Sequence, residues 1–181
     1  MIFLKNLALI VGLTIASLAG SAVYAKDLPS YITGVSSLPE RKPIKYEVSF
    51  VARFDNRIVI DSTSKGPSVD DVIAGSGSLW DKGGVKIGRF DANTRVSEWS
   101  KDGDRRMLFV NYAFGDNQNS IVILGVGTYA GKLGLLNKQA VNKFSIVGGT
   151  GKFIAAGGQC EIVRADNIDY MVTCTAFVPD F

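Results

Sequence analysis

The chain has 181 residues, long enough for one domain with its own core, and it carries 20 Lys and Arg residues against 17 Asp and Glu, a formal net charge of +3. The two signs are interspersed, so the sequence lacks the basic patch that neutralises phosphates, and no nucleic-acid partner is expected. It contains no histidine, which excludes triads that use histidine and metal sites that include it.

Residues 1–25 have the composition of a secretory signal peptide. Lys5 precedes an apolar stretch over residues 7–16, and small residues follow as far as Ala25, which predicts cleavage before the next residue. An uncleaved membrane anchor is the alternative, although no later stretch supplies the ~20 apolar residues that a second span would need. We therefore predict a secreted or periplasmic protein that has no membrane contact after cleavage.

Residues 26–44 contain three prolines and are predicted to form an extended N-terminal segment, followed by one domain over residues 45–181. This domain alternates apolar and polar residues between closely spaced turn signals and shows no long helical period. Such a pattern predicts an antiparallel sandwich or barrel, and closure into a barrel would remove the exposed sheet edges. The predicted strands are residues 45–54, 57–62, 73–80, 85–99 with a break, 105–114, 120–129, 141–147, 153–164 and 168–177.

Three glycines lie between apolar runs in the stretch FSIVGGTGKF, residues 144–153. A phosphate-binding glycine loop lies between a strand and the N-terminus of a helix, but no helical pattern follows here and no Gly-Lys-Ser or Gly-Lys-Thr is present. Gly148, Gly149 and Gly151 are therefore predicted to form a structural turn, supplying positive φ and close backbone approach. Nucleotide binding is the alternative.

Two cysteines flank a turn-like stretch centred on Asn167. A hairpin centred there places Cys160 directly opposite Cys174 and pairs Ile162 with Val172. Directly opposed residues lie within the range of a disulfide, so an exported chain predicts a bond between the two cysteines. Two buried free thiols are the alternative, and no metal site is predicted from two cysteines alone.

Two stretches of the sequence resemble the allene oxide cyclase and dirigent protein superfamily. They are GDRRMLFVNYAFGDNQNSIVILG, residues 103–125, and FSIVGGTGKFIAAGGQCEI, residues 144–162. The resemblance covers residues 78–177 in order and spacing. It implies an all-β fold, namely an eight-stranded antiparallel β-barrel with a central apolar cavity, and it leaves open a homotrimer or a homodimer.

The resemblance implies several contacts of a bound molecule, but two polar groups of the family's cyclases are missing. Their first-strand glutamate and asparagine fall on Phe50 and Ala52, or on Ala52 and Phe54, and are replaced by apolar residues. A later asparagine position falls on Asp81. The family's cysteine falls on Thr94 and its tyrosine on Gly127.

Tyr129 lies two residues beyond Gly127, faces the same way and is the candidate to replace the family's tyrosine. The predicted strand 105–114 supplies two further candidates, Arg106 and Tyr112. Counting back from the Phe-Gly-Asp motif, alternate residues of this strand face the cavity, and a single bulge would reverse the assignment. The inward set is Arg106, Leu108, Val110, Tyr112 and Phe114.

Each candidate also has a plainer interpretation. Asp81 precedes Lys-Gly-Gly and suits a turn, and Thr94 suits any strand. Tyr112 and Tyr129 suit a packed core as well as a cavity wall. Arg106 suits solvent near the start of a strand, whereas pointing inward it would be an uncompensated charge that requires an anionic ligand group.

The expected function is that of a secreted dirigent- or cyclase-like barrel, which binds a small apolar molecule and directs its stereoselective cyclisation or coupling by shape and exclusion of water. The alternative is a non-catalytic secreted ligand-binding or structural barrel. The residues leave open whether the protein is an enzyme. An active barrel would have an isomerase- or cyclase-like activity without metal or organic cofactor, and no residue is assigned a catalytic role.

Overall fold

The computed structural model of the protein describes residues 42–61, 68–100, 103–130, 135–138 and 140–180. The strands of this part of the chain are β1 (Ile44–Ile60), β2 (Val72–Trp80), β3 (Lys86–Ser100), β4 (Gly103–Phe114), β5 (Asn119–Ala130), β6 (Leu135–Leu136), β7 (Val141–Thr150), β8 (Gly157–Arg164) and β9 (Asp169–Val178). The predicted signal peptide lies outside the described residues, as does most of the predicted extended segment.

Eight of the strands close into an antiparallel barrel. Strands β1 to β5 pair in chain order, β5 then pairs with β7, and β7, β8 and β9 pair in order until β9 returns to β1. The short β6 pairs with the last two residues of β5. The predicted all-β, eight-stranded antiparallel barrel is therefore confirmed. Over the described part of the chain, no helix reaches the length and apolar character that a membrane span requires.

Burial alternates along strand β4, so that every second side chain lies inside the barrel. Arg106, Leu108 and Val110 are buried, whereas Met107 and Phe109 between them are exposed. Successive side chains of a strand point to opposite faces, so one parity of β4 fills the barrel and the other covers its outer surface. The inward set predicted for this strand is the buried one, with Phe114 half-buried at its end.

The predicted turn at residues 55–56 is wrong, because β1 continues through it with a β-bulge. The pairing of β1 with β2 shifts between Phe54 and Asn56, and the extra residue, Asp55, accepts a 2.8 Å hydrogen bond from the hydroxyl of Ser78. A bulge changes the parity of the strand beyond it. As a result Phe54 and Arg57, three residues apart, both line the barrel interior. The break expected in the predicted strand 85–99 is likewise a bulge within β3.

The glycine-rich stretch connects β7 to β8 without a phosphate-binding helix. Gly148 and Gly151 have positive φ angles of 154° and 58°. At Gly149 a Cβ atom would lie 2.1 Å from the backbone oxygen of Ser120, so only glycine allows this approach. The strand predicted to begin at Phe153 begins instead at residue 157, because residues 151–153 form a short 3-10 helix.

This 3-10 helix turns Phe153 into the barrel and closes one end, which we call the Phe153 end. The side chain of Phe153 is fully buried. Its ring centroid lies 5.5 Å from that of Tyr46 in an edge-on arrangement and 5.9 Å from that of Phe114. Aromatic packing of this kind adds to the stabilisation from burial. We call the opposite end, where β1, β3 and β5 finish, the Tyr129 end.

Cys160 and Cys174 form a disulfide between β8 and β9, with Cα atoms 4.0 Å apart. The two residues are directly paired and Ile162 is paired with Val172, which is the predicted register. Both sulfurs lie in the core. On the chain-entropy model a closed loop of about 15 residues stabilises a fold by ~3 kcal/mol. The carboxylate of Asp166 stabilises the intervening turn, because it accepts hydrogen bonds from the backbone N–H groups of Ile168 and Asp169.

Candidate functional site

The barrel interior contains a cavity at the Tyr129 end, with a volume of about 50 Å³. Every strand except β7 contributes to its wall, and the wall is mostly apolar. Its aromatic residues are Phe54, Phe90, Tyr112, Tyr129 and Tyr170. The volume suits one or two water molecules, whereas an apolar cavity that binds benzene measures roughly 150 Å³. A larger guest therefore fits only when these rings turn aside.

Edge-to-face aromatic contacts form one side of the cavity. The ring centroid of Phe54 lies 4.9 Å from that of Phe90 at an interplanar angle of 87°, and 5.6 Å from that of Tyr170. Phe90 in turn lies 6.1 Å from Tyr112. Rings in this arrangement present both edges and faces to a guest, which suits a flat or unsaturated molecule.

Polar groups gather at the Tyr129 end on the adjacent strands β3, β4 and β5. Arg106 is 3% exposed, pairs with the 4% exposed Asp104, and lies over the Tyr129 ring with its guanidinium carbon 5.5 Å from the centroid. Tyr129 is 4% and Thr94 8% exposed. Among the described residues, the Nε and Nη1 atoms of Arg106, the Tyr129 hydroxyl and the Thr94 hydroxyl have no hydrogen-bond partner.

Arg57 lines the cavity wall and brings a second guanidinium group to the Tyr129 end. Its guanidinium carbon lies 5.7 Å from the centroid of the Phe54 ring. Burial is the main influence that lowers the pKa of Arg57, and the positive charges of Arg106 and Arg164 lower it further. Arginine nevertheless stays protonated at neutral pH, so the guanidinium groups of Arg57 and Arg106 are both charged.

The cavity tyrosines stay neutral in the folded protein. Burial is the largest cause that raises the pKa of Tyr112, Tyr129 and Tyr170 above the ordinary value. A neutral phenol donates a hydrogen bond, so these hydroxyls serve as donors to a bound acceptor and not as bases.

We expect the barrel to lose stability as the pH rises above about 10, where unfolded phenols ionise. The folded pKa values are raised, so the stabilisation is complete below the unfolded pKa and is lost as the pH approaches the folded values. Tyr112→Phe should weaken this dependence. Tyrosinate absorbance at 295 nm, followed with circular dichroism, provides the measurement: the three phenols should ionise only as the protein unfolds. Ionisation of all three near pH 10 with the fold intact would contradict the expectation.

The structure brings most of the sequence-predicted site residues together. Thr94, Tyr112 and Tyr129 line the cavity, and Arg106 lies against Tyr129. Asp81 lies apart, in the turn between β2 and β3, where its carboxylate accepts 2.8 Å hydrogen bonds from the backbone N–H groups of residues 83 and 85. These bonds stabilise the turn, so Asp81 is a turn residue, as its plainer interpretation holds.

The prediction that an inward Arg106 would be uncompensated is wrong, because Asp104 lies beside it. Asp104 and Arg106 are two residues apart on β4 and therefore point to the same side of the sheet. The predicted strand began at residue 105, so it left Asp104 out, whereas β4 begins at Gly103. A side chain at Gly127, the position of the family's tyrosine, would meet the ring of Tyr129 at 3.1 Å. The ring of Tyr129 therefore fills the space above Gly127.

Sequence reasoning missed Arg57 and Tyr170 in the cavity wall. Arg57 faces inward because of the bulge at Asp55, which no pattern of apolar residues indicates. Tyr170 shares the parity of Val172 and Cys174, so extending the apolar face of that hairpin by one step finds it. No three His, Cys, Asp or Glu side chains come together as metal ligands within the described residues.

No protein-family model and no curated protein matches the chain. Solved structures share its barrel. A pyocyanin demethylase aligns with a TM-score of 0.60 at 14% identity, over 72% of this chain and 99% of that one. The pterocarpan synthase dirigent protein aligns with a TM-score of 0.60 at 16% identity, over 80% and 94%.

A Diels–Alderase from Streptomyces koyangensis aligns with a TM-score of 0.56 at 12% identity, over 85% of this chain and 83% of that one. At these identities the likeness concerns the fold. The barrel that the sequence motifs indicate is thus the one found in dirigent and cyclase proteins.

Proposed function

We propose that this barrel is exported, binds a small, largely apolar molecule in its interior, and directs the stereoselective cyclisation or coupling of that molecule. One observation carries the proposal: the wall is mostly aromatic and aliphatic, and the buried hydroxyls of Thr94 and Tyr129, which have no hydrogen-bond partner among the described residues, lie toward the Tyr129 end. Such a site holds a guest in one orientation. The disulfide supports the exported state, because disulfides persist in oxidising compartments.

Catalysis in this barrel would rest on orientation. No carboxylate or thiol belongs to the wall of the cavity within the described residues. Holding two reacting ends of one molecule together lowers a barrier by several kcal/mol, up to about 7–11 kcal/mol for well-oriented groups. The names of the structural neighbours, a pterocarpan synthase and a Diels–Alderase, are consistent with ring-forming chemistry inside this kind of barrel.

The closed form must open to admit its guest. Tyr129 and Tyr170 stand at the end where the cavity lies, and together with Phe54 they occupy space that a guest of benzene size would need. Rotation of these rings enlarges the cavity without breaking the sheet.

The outer surface supports a homotrimer or a homodimer. Met107 pairs with Val126, and Phe109 pairs with Leu124, across β4 and β5. All four side chains point outward and are exposed. Neighbouring apolar side chains of this kind are typical of surfaces that become buried on association.

The proposal predicts product chirality. Purified protein incubated with achiral phenolic radicals or with lipid-derived epoxides should give enriched enantiomers, measured by chiral chromatography. Ala52→Leu, which fills the cavity from a buried wall position, should return racemic product. Thr173→Leu, on the exposed face of β9, is the matched control and should retain the enrichment.

The alternative is a non-catalytic secreted ligand-binding barrel. It is favoured by the apolar residues, Phe50 and Ala52 or Ala52 and Phe54, at the positions where the family's cyclases carry glutamate and asparagine. The same experiment separates the two functions: a guest that binds wild type but not Ala52→Leu, and is recovered chemically unchanged, supports the alternative. Enriched product from any substrate rejects it.

A further inference from the structure

A groove crosses the outer face of the barrel over β2, and we call it the β2 groove. It has a volume of about 460 Å³, which lies within the ~300–1,000 Å³ of typical small-molecule sites. The small side chains of Ala74 and Ser76 form its floor, and Asn56 and Ile58 on β1 form one of its walls. The bulge at Asp55 lies directly beside this wall, and a bulge bends its strand, so the outer surface is locally concave.

Side chains of β3 and β4 form the opposite wall of the β2 groove. Asp91 and Asn93 point outward from β3, and Phe109 points outward from β4 directly opposite Asn93. The side chain of Phe109 is 46% exposed. The groove lies on the β3 side of this ring, whereas Leu124 of the exposed apolar pairs lies on its β5 side. The two surfaces therefore meet at Phe109 and extend from it in opposite directions.

The polar side chains of the β2 groove can form hydrogen bonds in both directions without favouring a charged ligand. Within the described ranges, no hydrogen bond joins the side chains of Asn56, Ser76 or Asn93 to another residue. Amides and hydroxyls both donate and accept. The Asp91 carboxylate pairs with the Arg89 guanidinium at 3.2 Å, so its charge is compensated. A neutral ligand with several hydroxyl groups matches this set of partners.

Other classes of ligand fit the β2 groove less well. A peptide that binds by strand addition needs an open sheet edge, but β2 is paired with β1 on one side and with β3 on the other. Arg57 borders the groove through its backbone, because its side chain has the inward parity, so its charge does not select an anion there. A wholly apolar ligand would cover the amide groups of the walls and deprive them of water.

We infer that the β2 groove binds a neutral saccharide chain. The apolar C–H face of one sugar ring packs against Phe109, and the sugar hydroxyls form hydrogen bonds with Asn56, Ser76 and Asn93. A sugar ring has both an apolar face and a rim of hydroxyl groups, so it matches an exposed aromatic ring beside uncharged polar side chains. This site lies on the outside of the barrel, and it is therefore separate from the interior site of the proposed function.

Binding of neutral oligosaccharides to the full-length protein tests the inference. The probes are cellohexaose, chitohexaose, mannohexaose and maltohexaose, each titrated at neutral pH into the millimolar range and followed by nuclear magnetic resonance. Hexagalacturonate is the anionic comparison. We expect at least one neutral probe to bind, with an affinity at least about threefold higher than that of hexagalacturonate, because the groove offers hydrogen bonds and no unpaired positive side chain.

Three variants locate the binding site in the β2 groove. Phe109→Ala removes the ring, Asn93→Leu removes one amide at similar size, and Ala74→Leu fills the floor. Each should weaken binding of the neutral probe at least about threefold, the size of one ring contact or one hydrogen bond. Phe177→Ala is the matched control, because it removes a 44% exposed ring from β9 and should leave the affinity unchanged.

Each remaining result would overturn the inference. No binding by any of the four neutral probes would do so, as would tighter binding of hexagalacturonate than of every neutral probe. Full affinity in Asn93→Leu and Ala74→Leu would place the saccharide elsewhere on the protein. Light scattering shows whether Phe109→Ala keeps the association state of the wild type, and the other two variants decide the result if it does not. Failure of the inference leaves the proposed function standing, since the chirality assay reports on the interior.

Discussion

Phe153→Ala is expected to lower the free energy of unfolding by about 3–5 kcal/mol, the range for removing a fully buried phenylalanine. The ring lies wholly inside the barrel and contacts Tyr46 and Phe114 at its closed end. Truncation removes its burial and leaves a void. A closed sheet has no free edge along which to collapse, so the void should persist. Urea or guanidinium unfolding of the two proteins measures the difference.

A matched control separates this effect from the loss of any aromatic ring. Phe177 on β9 is 44% exposed, so Phe177→Ala should change stability by less than about 1 kcal/mol. Phe153→Leu should recover part of the loss, because it keeps an apolar group in the same space. Equal destabilisation by the two alanine variants would show that Phe153 does not close the barrel.

Arg106→Met is expected to destabilise the protein by about 3–5 kcal/mol, because it leaves the Asp104 carboxylate buried without its cation. Both side chains are almost fully buried, at 3% and 5% side-chain exposure, so water does not reach the remaining charge. The methionine keeps much of the arginine's apolar volume, which limits the contribution of lost packing. Denaturant unfolding at neutral pH gives the value.

The double variant Asp104→Leu/Arg106→Met provides the control. Apolar replacement of an entire buried ion pair is often neutral or stabilising, so this protein should be markedly more stable than Arg106→Met alone. A double variant as unstable as the single one would mean that Arg106 stabilises the barrel by contacts other than its pair with Asp104. Measuring Asp104→Leu alone as well completes a double-mutant cycle, which gives the coupling between the two residues.

These two residues mark the two ends of the interior. Phe153 closes one end with an aromatic ring that packs against Tyr46 and Phe114, and the Lys152 ammonium lies 5.1 Å from its centroid. Arg106 and its neighbours place charge and unsatisfied donors at the other end. The interior therefore has a buried ion pair at the Tyr129 end and a buried aromatic ring at the Phe153 end.

Local patterns predicted much of this molecule. The inward parity of β4 followed from counting back along the strand from the Phe-Gly-Asp motif of the family resemblance, and the pairing of Cys160 with Cys174 followed from a hairpin whose two strands are symmetric about Asn167. Both features depend on residues close together in the chain. Period-2 side-chain placement and a short turn determine them before any distant strand is considered.

The sequence by itself thus determined most of the strands and the pairing of the two cysteines, and its family resemblance indicated the closed barrel and the face on which Tyr112 and Tyr129 lie. Only the tertiary structure decided that Asp55 forms a bulge that turns Arg57 inward, that Phe153 leaves its strand to close the barrel, and that Asp104 pairs with Arg106 inside it. The volume of the cavity belongs to this second group. Each of these features depends on how strands far apart in the chain pack against one another inside the closed sheet. The alternation of residues along one strand does not indicate which side chains will lie opposite it.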